Sequence, residues 1–384
     1  MGRNLIVCCD GTGNEIEENQ SNVLKFYRLI KKDETQIGFY DPGVGTIGDS
    51  SAWSRFKNRA KKVFGLVTGY GLDKNVLDAY RFLVQNYEDG DRIYLFGFSR
   101  GAYTVRMLAG FINMVGLLGP NNENLFNYAL TAYKQAGSEK NLSVAWRVQK
   151  VMESRFVTIR FMGCWDTVGS VIVPRPDRWY LPSLEVLPYT VSNPCVQVFR
   201  HAMAIDERRR MFRVMHWKAG QKFKKTPFEP DETAVAQDMK QVWFSGVHSD
   251  IGGGYPEKES GAAKIPLRWM VDEASEHGIG FKPKMVSRLV DGKIRENDTV
   301  YYAKPDENAD LHDSMSWAWS LLEWLPKSDR FKEWNSRKSR FGYYQPQAEP
   351  RFLGEDPDIH PSVHLRNTYC RNRPYHPVNL VKKR

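Results

Sequence analysis

The chain has 384 residues, of which 41% are hydrophobic and 13% aromatic, enough for a large buried core and too many for a disordered protein. At ~150 residues per domain the length admits two or three domains, or one large α/β domain with insertions. Lys and Arg outnumber Asp and Glu by 55 to 45, and the net charge of +10 admits anionic partners, while no run of ~18 apolar residues offers a membrane span and the five cysteines contain no CxxC pair for zinc.

Leu5 to Cys9 is a short apolar run closed by Asp10-Gly11-Thr12-Gly13-Asn14, the pattern of a buried strand ending in a turn. It is too short for the apolar segment of a secretory leader. The adjacent Cys8 and Cys9, like Cys164, read as small buried hydrophobes of a reducing compartment, here the cytoplasm, with export by a secretion system left open. Ser21 to Lys31 has helical periodicity, Gln36 to Tyr40 reads as a second strand, and Leu72 to Tyr87 as an amphipathic helix. Arg92 to Phe98 is a nearly continuous apolar strand, followed by a helix from Arg100 to Val115. Strand, tight turn and helix in alternation is the rhythm of a mostly parallel sheet. Further strands are predicted at Val157 to Trp165, Met211 to Trp217 and Gln241 to Val247, and a helix opened by its proline at Pro266 to His277. After about Gly280 the rhythm fades. Residues 1–280 are therefore expected to form the catalytic domain and 281–384 a mostly helical extension packed on it. Within that extension Ser314 to Leu325 is aromatic and amphipathic, the pattern of a core-packing helix or of a lid or interfacial helix.

The string Gly97-Phe98-Ser99-Arg100-Gly101 is a GxSxG pentapeptide lying between a predicted buried strand and a predicted helix, the context of a nucleophile elbow. Such a turn is so sharp that side chains two residues either side of the serine clash with the packed strand and helix. The Arg100 amide at the helix N-terminus is then a candidate oxyanion donor, and a backbone N–H near Gly11 the second. Asp10, Thr12, Gly97, Gly101 and Asp250 are expected to shape the site.

A serine hydroxyl needs a base, and the base an orienting acid; on this kind of fold the chain order is Ser, acid, His. Of eight histidines His248 is best placed, after a predicted strand and before Gly252-Gly253-Gly254, whose bare backbone permits close approach. His201 and His216 lie inside probable elements and read as structural. His360 and His364 have the i, i+4 spacing of a metal pair, but Pro361 between them argues against a helix there. Three carboxylates compete for the acid: Asp166, ending a strand; Asp206, beside Arg208 to Arg210 and suggestive of pairing with them; and Asp250, two residues from His248.

The ordered segments CCDGTGN, YDPGVGT, GFSRGA, FMGCWDTVGS, HAMAIDERR and VWFSGVHSDIGGGY together resemble an α/β-hydrolase family, long classed as a domain of unknown function, that includes phospholipase effectors of the bacterial type VI secretion system. The resemblance runs from Cys8 to about Met270. It implies hydrolysis of carboxylic esters by a triad of Ser99, Asp166 and His248, with phospholipid as the substrate of the effector members.

The expectation is thus a serine ester hydrolase of α/β-hydrolase-like fold needing neither metal nor organic cofactor, acting on a lipid or small ester, with peripheral contact to anionic membrane. Esterase or thioesterase action on soluble substrates, and a non-catalytic binding protein on the same fold, are the alternatives. No nucleic-acid-binding motif accompanies the basic clusters at Lys57 to Lys62, Arg208 to Arg210, Lys222 to Lys225 and Lys382 to Arg384. Oligomeric state is not legible.

Overall fold

In a computed structural model the described residues are 2–11, 19–43, 71–138, 147, 149–169, 172–174, 182–184, 187–226, 229–293, 300–329, 332–335, 337–369 and 375–381. Seven strands form the central sheet: β1 (Asn4–Cys9), β2 (Gln36–Asp41), β3 (Arg92–Phe98), β4 (Ile159–Trp165), β5 (Val196–Ala204), β6 (Asp238–Phe244) and β7 (Asp358–Ile359). Their spatial order is β7-β6-β5-β4-β3-β1-β2, and every neighbouring pair runs parallel. Among the described residues three small antiparallel ribbons lie outside this sheet.

Parallel strands are covered on both faces, which is why β1 and β3 read as unbroken apolar runs. Leu5, Val7, Cys9, Ile93 and Leu95 point to one face, where α2 (Leu72–Asn86), α3 (Arg100–Val115) and α4 (Phe126–Ser138) pack. Ile6, Cys8, Tyr94 and Phe96 point to the other, under α1 (Asn22–Leu29), α6 (Gly261–Glu276) and α7 (Pro283–Leu289). The result is the expected α/β-hydrolase-like layering of helix, sheet and helix. Chain direction across the sheet reverses at β1: β2 lies on one side of it, and β3 onward on the other. In open parallel sheets a reversal of this kind marks the end where ligands bind, here the carboxyl ends of β1 and β3.

Three local expectations are corrected. Met211 to Trp217 is not a strand; its one ladder contact is an isolated bridge from Val214 to Val168. The strand in this region is β5, masked in the sequence by Gln197, Arg200 and His201. Arg200 is buried because Glu273 (2.5 Å) and Asp238 (2.8 Å) accept from it. The helix expected to open at Pro266 begins at Gly261 and carries the proline inside it. Pro361 does not prevent a helix but opens one, α9 (Pro361–Tyr369). His360 stacks on Phe244 at 4.5 Å and its Nδ1 meets Ser362 Oγ at 2.8 Å.

The segment after Gly280 does not stand apart from the sheet. It supplies the edge strand β7, the short helix α8 (Trp317–Leu322) and α10 (Val378–Val381), joined by long irregular stretches. Among the described residues no helix is long and apolar enough to cross a membrane. Cys8, Cys9, Cys164 and Cys195 are buried free thiols whose pKa values burial pushes up. Cys370 lies outside the described residues.

Candidate active site

Ser99 is the single residue between β3 and α3, and its backbone sits at φ 56°, ψ −120°. That conformation is sterically expensive for a residue with a Cβ and persists only where packing over-determines it. The packing is visible at the two glycines. A Cβ on Gly97 would lie 2.4 Å from Gly101 O, and one on Gly101 would lie 2.1 Å from Cys9 O. The helix therefore starts directly against the carboxyl end of β1, and the serine is held at the turn above it. Its amide donates to Trp165 O at 3.0 Å, tying the turn to the end of β4.

The next residue after Trp165 is Asp166, so Ser99 and Asp166 leave adjacent strands at the same level. Asp166 is wholly buried, and its carboxylate accepts from four groups: His248 Nδ1 (2.5 Å), the Ala204 amide (3.0 Å), and both Nη1 (2.6 Å) and Nη2 (3.0 Å) of Arg351. Burial by itself would raise its pKa. The Arg351 charge and the bonds from His248 hold it far below the usual carboxylate range. Asp166 is thus an acceptor throughout the physiological range.

His248 begins α5 (His248–Gly252), which follows β6. Its ring lies between Phe98 (4.6 Å) and Phe212 (4.9 Å). Burial lowers its pKa against the pull of Asp166. It is therefore neutral at pH 7, with the proton on Nδ1 facing Asp166 and Nε2 left as a lone-pair acceptor. The Gly252 backbone lies against Phe98, since a Cβ there would be 1.9 Å from the ring.

The rival carboxylates are committed elsewhere. Asp206 accepts from the Gly246 amide and the Tyr375 hydroxyl, both at 2.7 Å, and not from the arginines that follow it. Asp250 accepts from the Val247 amide (3.0 Å) and pairs with His312 Nδ1 (2.6 Å). Asp250 thus shapes the His248 turn without touching the imidazole. The neighbouring arginines serve Glu207 instead: Arg209 reaches it at 2.8 and 2.9 Å, and Glu207 Oε2 accepts the His248 amide at 3.2 Å.

Asp10, directly after β1, is a hub, accepting from Tyr40 (2.8 Å), from Ser21 and from the Gly11 amide (2.7 Å). This corrects the expectation for Gly11: its N–H, anticipated as the second oxyanion donor, is turned onto the Asp10 carboxylate. Arg100 is as expected the first residue of α3, where N–H groups have no acceptor within the helix. Thr12 lies outside the described residues, as do the basic clusters at Lys57 to Lys62 and Lys382 to Arg384. His201 is structural, its Nε2 accepting the Thr167 amide at 3.0 Å beside Asp166.

The family described as "T6SS, Phospholipase effector Tle1-like, catalytic domain" matches residues 3–273. The chain belongs to this family. A curated relative, the uncharacterized protein YEL023C of Saccharomyces cerevisiae, is 26% identical over 82% of this chain, and the chain spans 62% of that relative's length. Two solved structures are similar at a TM-score of 0.37 each. One, an uncharacterized protein from Pseudomonas aeruginosa, is 18% identical over 74% of this chain and 48% of its own. The other, the Tle1 effector bound to the VgrG spike of the type 6 secretion system, is 16% identical over 73% of this chain and 74% of its own.

Besides His312, two contributors to the site lie beyond the residues that the family match covers. Arg351 grips Asp166, and Ser314 Oγ donates to Glu207 at 3.1 Å. Neither carried a signal in the sequence: one of many arginines in a polar tail, and one serine before an aromatic stretch. Glu207 was equally silent, since only its burial distinguishes it from the acids around it.

Proposed function

We propose that this chain is a serine ester hydrolase acting on phospholipid. Membership of a phospholipase effector family supports lipid hydrolysis at the level of the family. The residue-level reading rests on one observation above the rest, the strained Ser99 backbone at a strand-to-helix turn walled by two glycines that admit no side chain.

In this reading the Ser99 Oγ attacks the ester carbonyl while His248 Nε2 takes its proton, and Asp166 holds the imidazole through Nδ1 and stabilises the imidazolium. The oxyanion is received at the N-terminus of α3, with the Arg100 amide as donor. His248 returns the proton to the leaving alcohol. A water molecule, deprotonated by the same nitrogen, then cleaves the acyl-serine, so that ester and water become acid and alcohol.

The test is fatty-acid release from mixed phospholipid vesicles by the full chain and by its Ser99→Ala and His248→Ala variants. Release lost in both variants, with fluorophosphonate labelling of the parent and not of Ser99→Ala, supports the reading. Undiminished release by Ser99→Ala overturns it. Turnover of short soluble esters with none from vesicles moves the substrate to the soluble class.

A further inference from the structure

The helix α8 and the residues after it present large apolar side chains to water. Trp317 is 79% exposed, Leu321 63%, Trp324 59% and Leu325 54%. Exposed apolar clusters of this kind mark a surface that meets something else. This one is not a loose end. Arg210 reaches across to donate to Leu322 O (2.7 Å), Leu325 O (2.5 Å) and Pro326 O (3.2 Å). The Glu323 carboxylate is turned inward, accepting the amides of Arg210 (2.6 Å) and Ala348 (3.3 Å). Trp319 packs edge-on against Phe212 at 5.7 Å, under the Arg209 guanidinium. The segment is pinned from beneath, and its apolar side chains face outward on a fixed support.

Its charge identifies the occupant. Between Asp313 and Asp329 the only carboxylate is Glu323, which is buried, so the apolar face carries no negative charge of its own. Exposed cations accompany it: Arg208 on the strut beneath, and Lys338 and Arg340 on the ribbon that pairs Lys327–Ser328 with Tyr343–Tyr344. At the tip of that ribbon Phe341 is 86% exposed, with the Arg340 guanidinium 5.2 Å from its ring. Aromatic side chains accompanied by three exposed cations, against the two exposed acids Asp313 and Asp329 that flank the segment, suit the headgroup region of an anionic bilayer. The location fits as well, because Trp319 touches Phe212 and Phe212 touches His248.

We infer that Trp317, Leu321, Trp324 and Leu325, with Phe341 and its flanking cations, seat this protein on an anionic phospholipid surface with the His248 side of the site toward the membrane. This deepens the reading of the chain as a phospholipid hydrolase by naming the surface from which substrate is drawn, and it rests on that reading for its purpose.

The experiment uses the full chain carrying Ser99→Ala, so that binding is measured without turnover. Flotation is compared on phosphatidylcholine vesicles and on vesicles containing phosphatidylglycerol, at low and at physiological salt. The expected result is co-flotation with the anionic vesicles, weakened by salt, with quenching of tryptophan fluorescence by brominated lipid. Adding Trp317→Ser, Leu321→Ser and Trp324→Ser together lowers partitioning at least tenfold, with the melting temperature serving as the control for folding. Should that triple variant misfold, Lys338→Glu with Arg340→Glu, which leaves the helix intact, lowers it severalfold. No flotation with anionic vesicles overturns the inference, as does equal flotation of every variant. A dimer seen by light scattering and dissolved by the triple variant also overturns it and gives the face to a second copy of the chain. Flotation as expected beside a parent protein that releases no fatty acid would sink the hydrolase reading and leave the surface standing.

Discussion

Arg351 closes on Asp166 with both arms of its guanidinium, Nη1 to Oδ1 at 2.6 Å and Nη2 to Oδ2 at 3.0 Å, across 185 residues of chain. A planar fork on a planar carboxylate leaves little rotational freedom, so the edge of Asp166 that meets His248 is set by a residue of the C-terminal segment. The same guanidinium donates to Ala204 O at 3.0 Å and to Phe212 O, locking the end of β5 to the loop whose ring covers His248.

Removing Arg351 leaves a buried carboxylate short of its cation. Arg351→Met is expected to cost about 3–5 kcal/mol in urea unfolding. It also moves the acid limb of kcat/KM toward higher pH, because a less neutralised Asp166 favours the protonated imidazole. Arg351→Lys restores the charge without the fork and recovers part of each effect. A merely structural role would change stability and leave the pH profile where it was.

The three candidate acids separate by substitution. Asp166→Asn takes away the acceptor facing His248 Nδ1 and is expected to lower kcat by about 10³–10⁴-fold. Asp206→Asn and Asp250→Asn disturb the Gly246 and Val247 turns and the contacts to Tyr375 and His312, so they act first on the melting temperature. Steady-state kinetics on a short-chain ester, run beside thermal unfolding, checks the order. A larger loss of kcat from either of the latter two would move the acid assignment.

The elbow stores strain that substitution can release. Ser99→Gly is expected to stabilise the fold by about 1 kcal/mol while abolishing turnover, since glycine adopts φ 56° without cost, whereas Ser99→Ala abolishes turnover with no such gain. Gly101→Ala forces a methyl onto Cys9 O and is expected to cost about 3 kcal/mol or more. Denaturant midpoints of the three variants test the argument together.

The pH response follows from two groups. The His248 pKa is lowered, and the proposed mechanism needs the neutral ring, so the acid limb of kcat/KM should inflect below the ordinary imidazole value of 6.5. An inflection above 7 would contradict this environment.

Glu207 is pushed up by burial but brought down from 4.5 to about 2 by Arg209, Arg351 and His248. A carboxylate depressed on folding contributes stability above its unfolded value and loses it as pH falls through its folded one. On the order of 3 kcal/mol should therefore be present at pH 5 and drain away between about pH 4.5 and 2. Glu207→Gln should flatten that part of the acid unfolding curve.

Much of this architecture is legible locally. The apolar runs Leu5 to Cys9 and Arg92 to Phe98 announce buried parallel strands, because both faces of such a strand are covered and no alternation remains to hide them. The GxSxG string between a strand and a helix marks Ser99 for the same reason, since the geometry that strains it is made by residues within a few positions. The strand Val196–Ala204 escapes such reading because its arginine and histidine are satisfied only by Glu273, Asp238 and Thr167, far along the chain. The alternation of Met211 to Trp217 misleads because no neighbouring strand is there to accept it. Which of Asp166, Asp206 and Asp250 meets His248 was likewise open, since a carboxylate's role depends on the donor that folding brings within about 3 Å of it. Sequence alone determined the parallel-sheet class, the apolar strands beside the serine and the turn in which Ser99 sits. Tertiary structure decided the partners: Arg351 on Asp166, Glu207 beneath His248, and an aromatic helix held outward beside them, because hydrogen bonds and ion pairs act only at contact and the chain reaches those contacts only when folded.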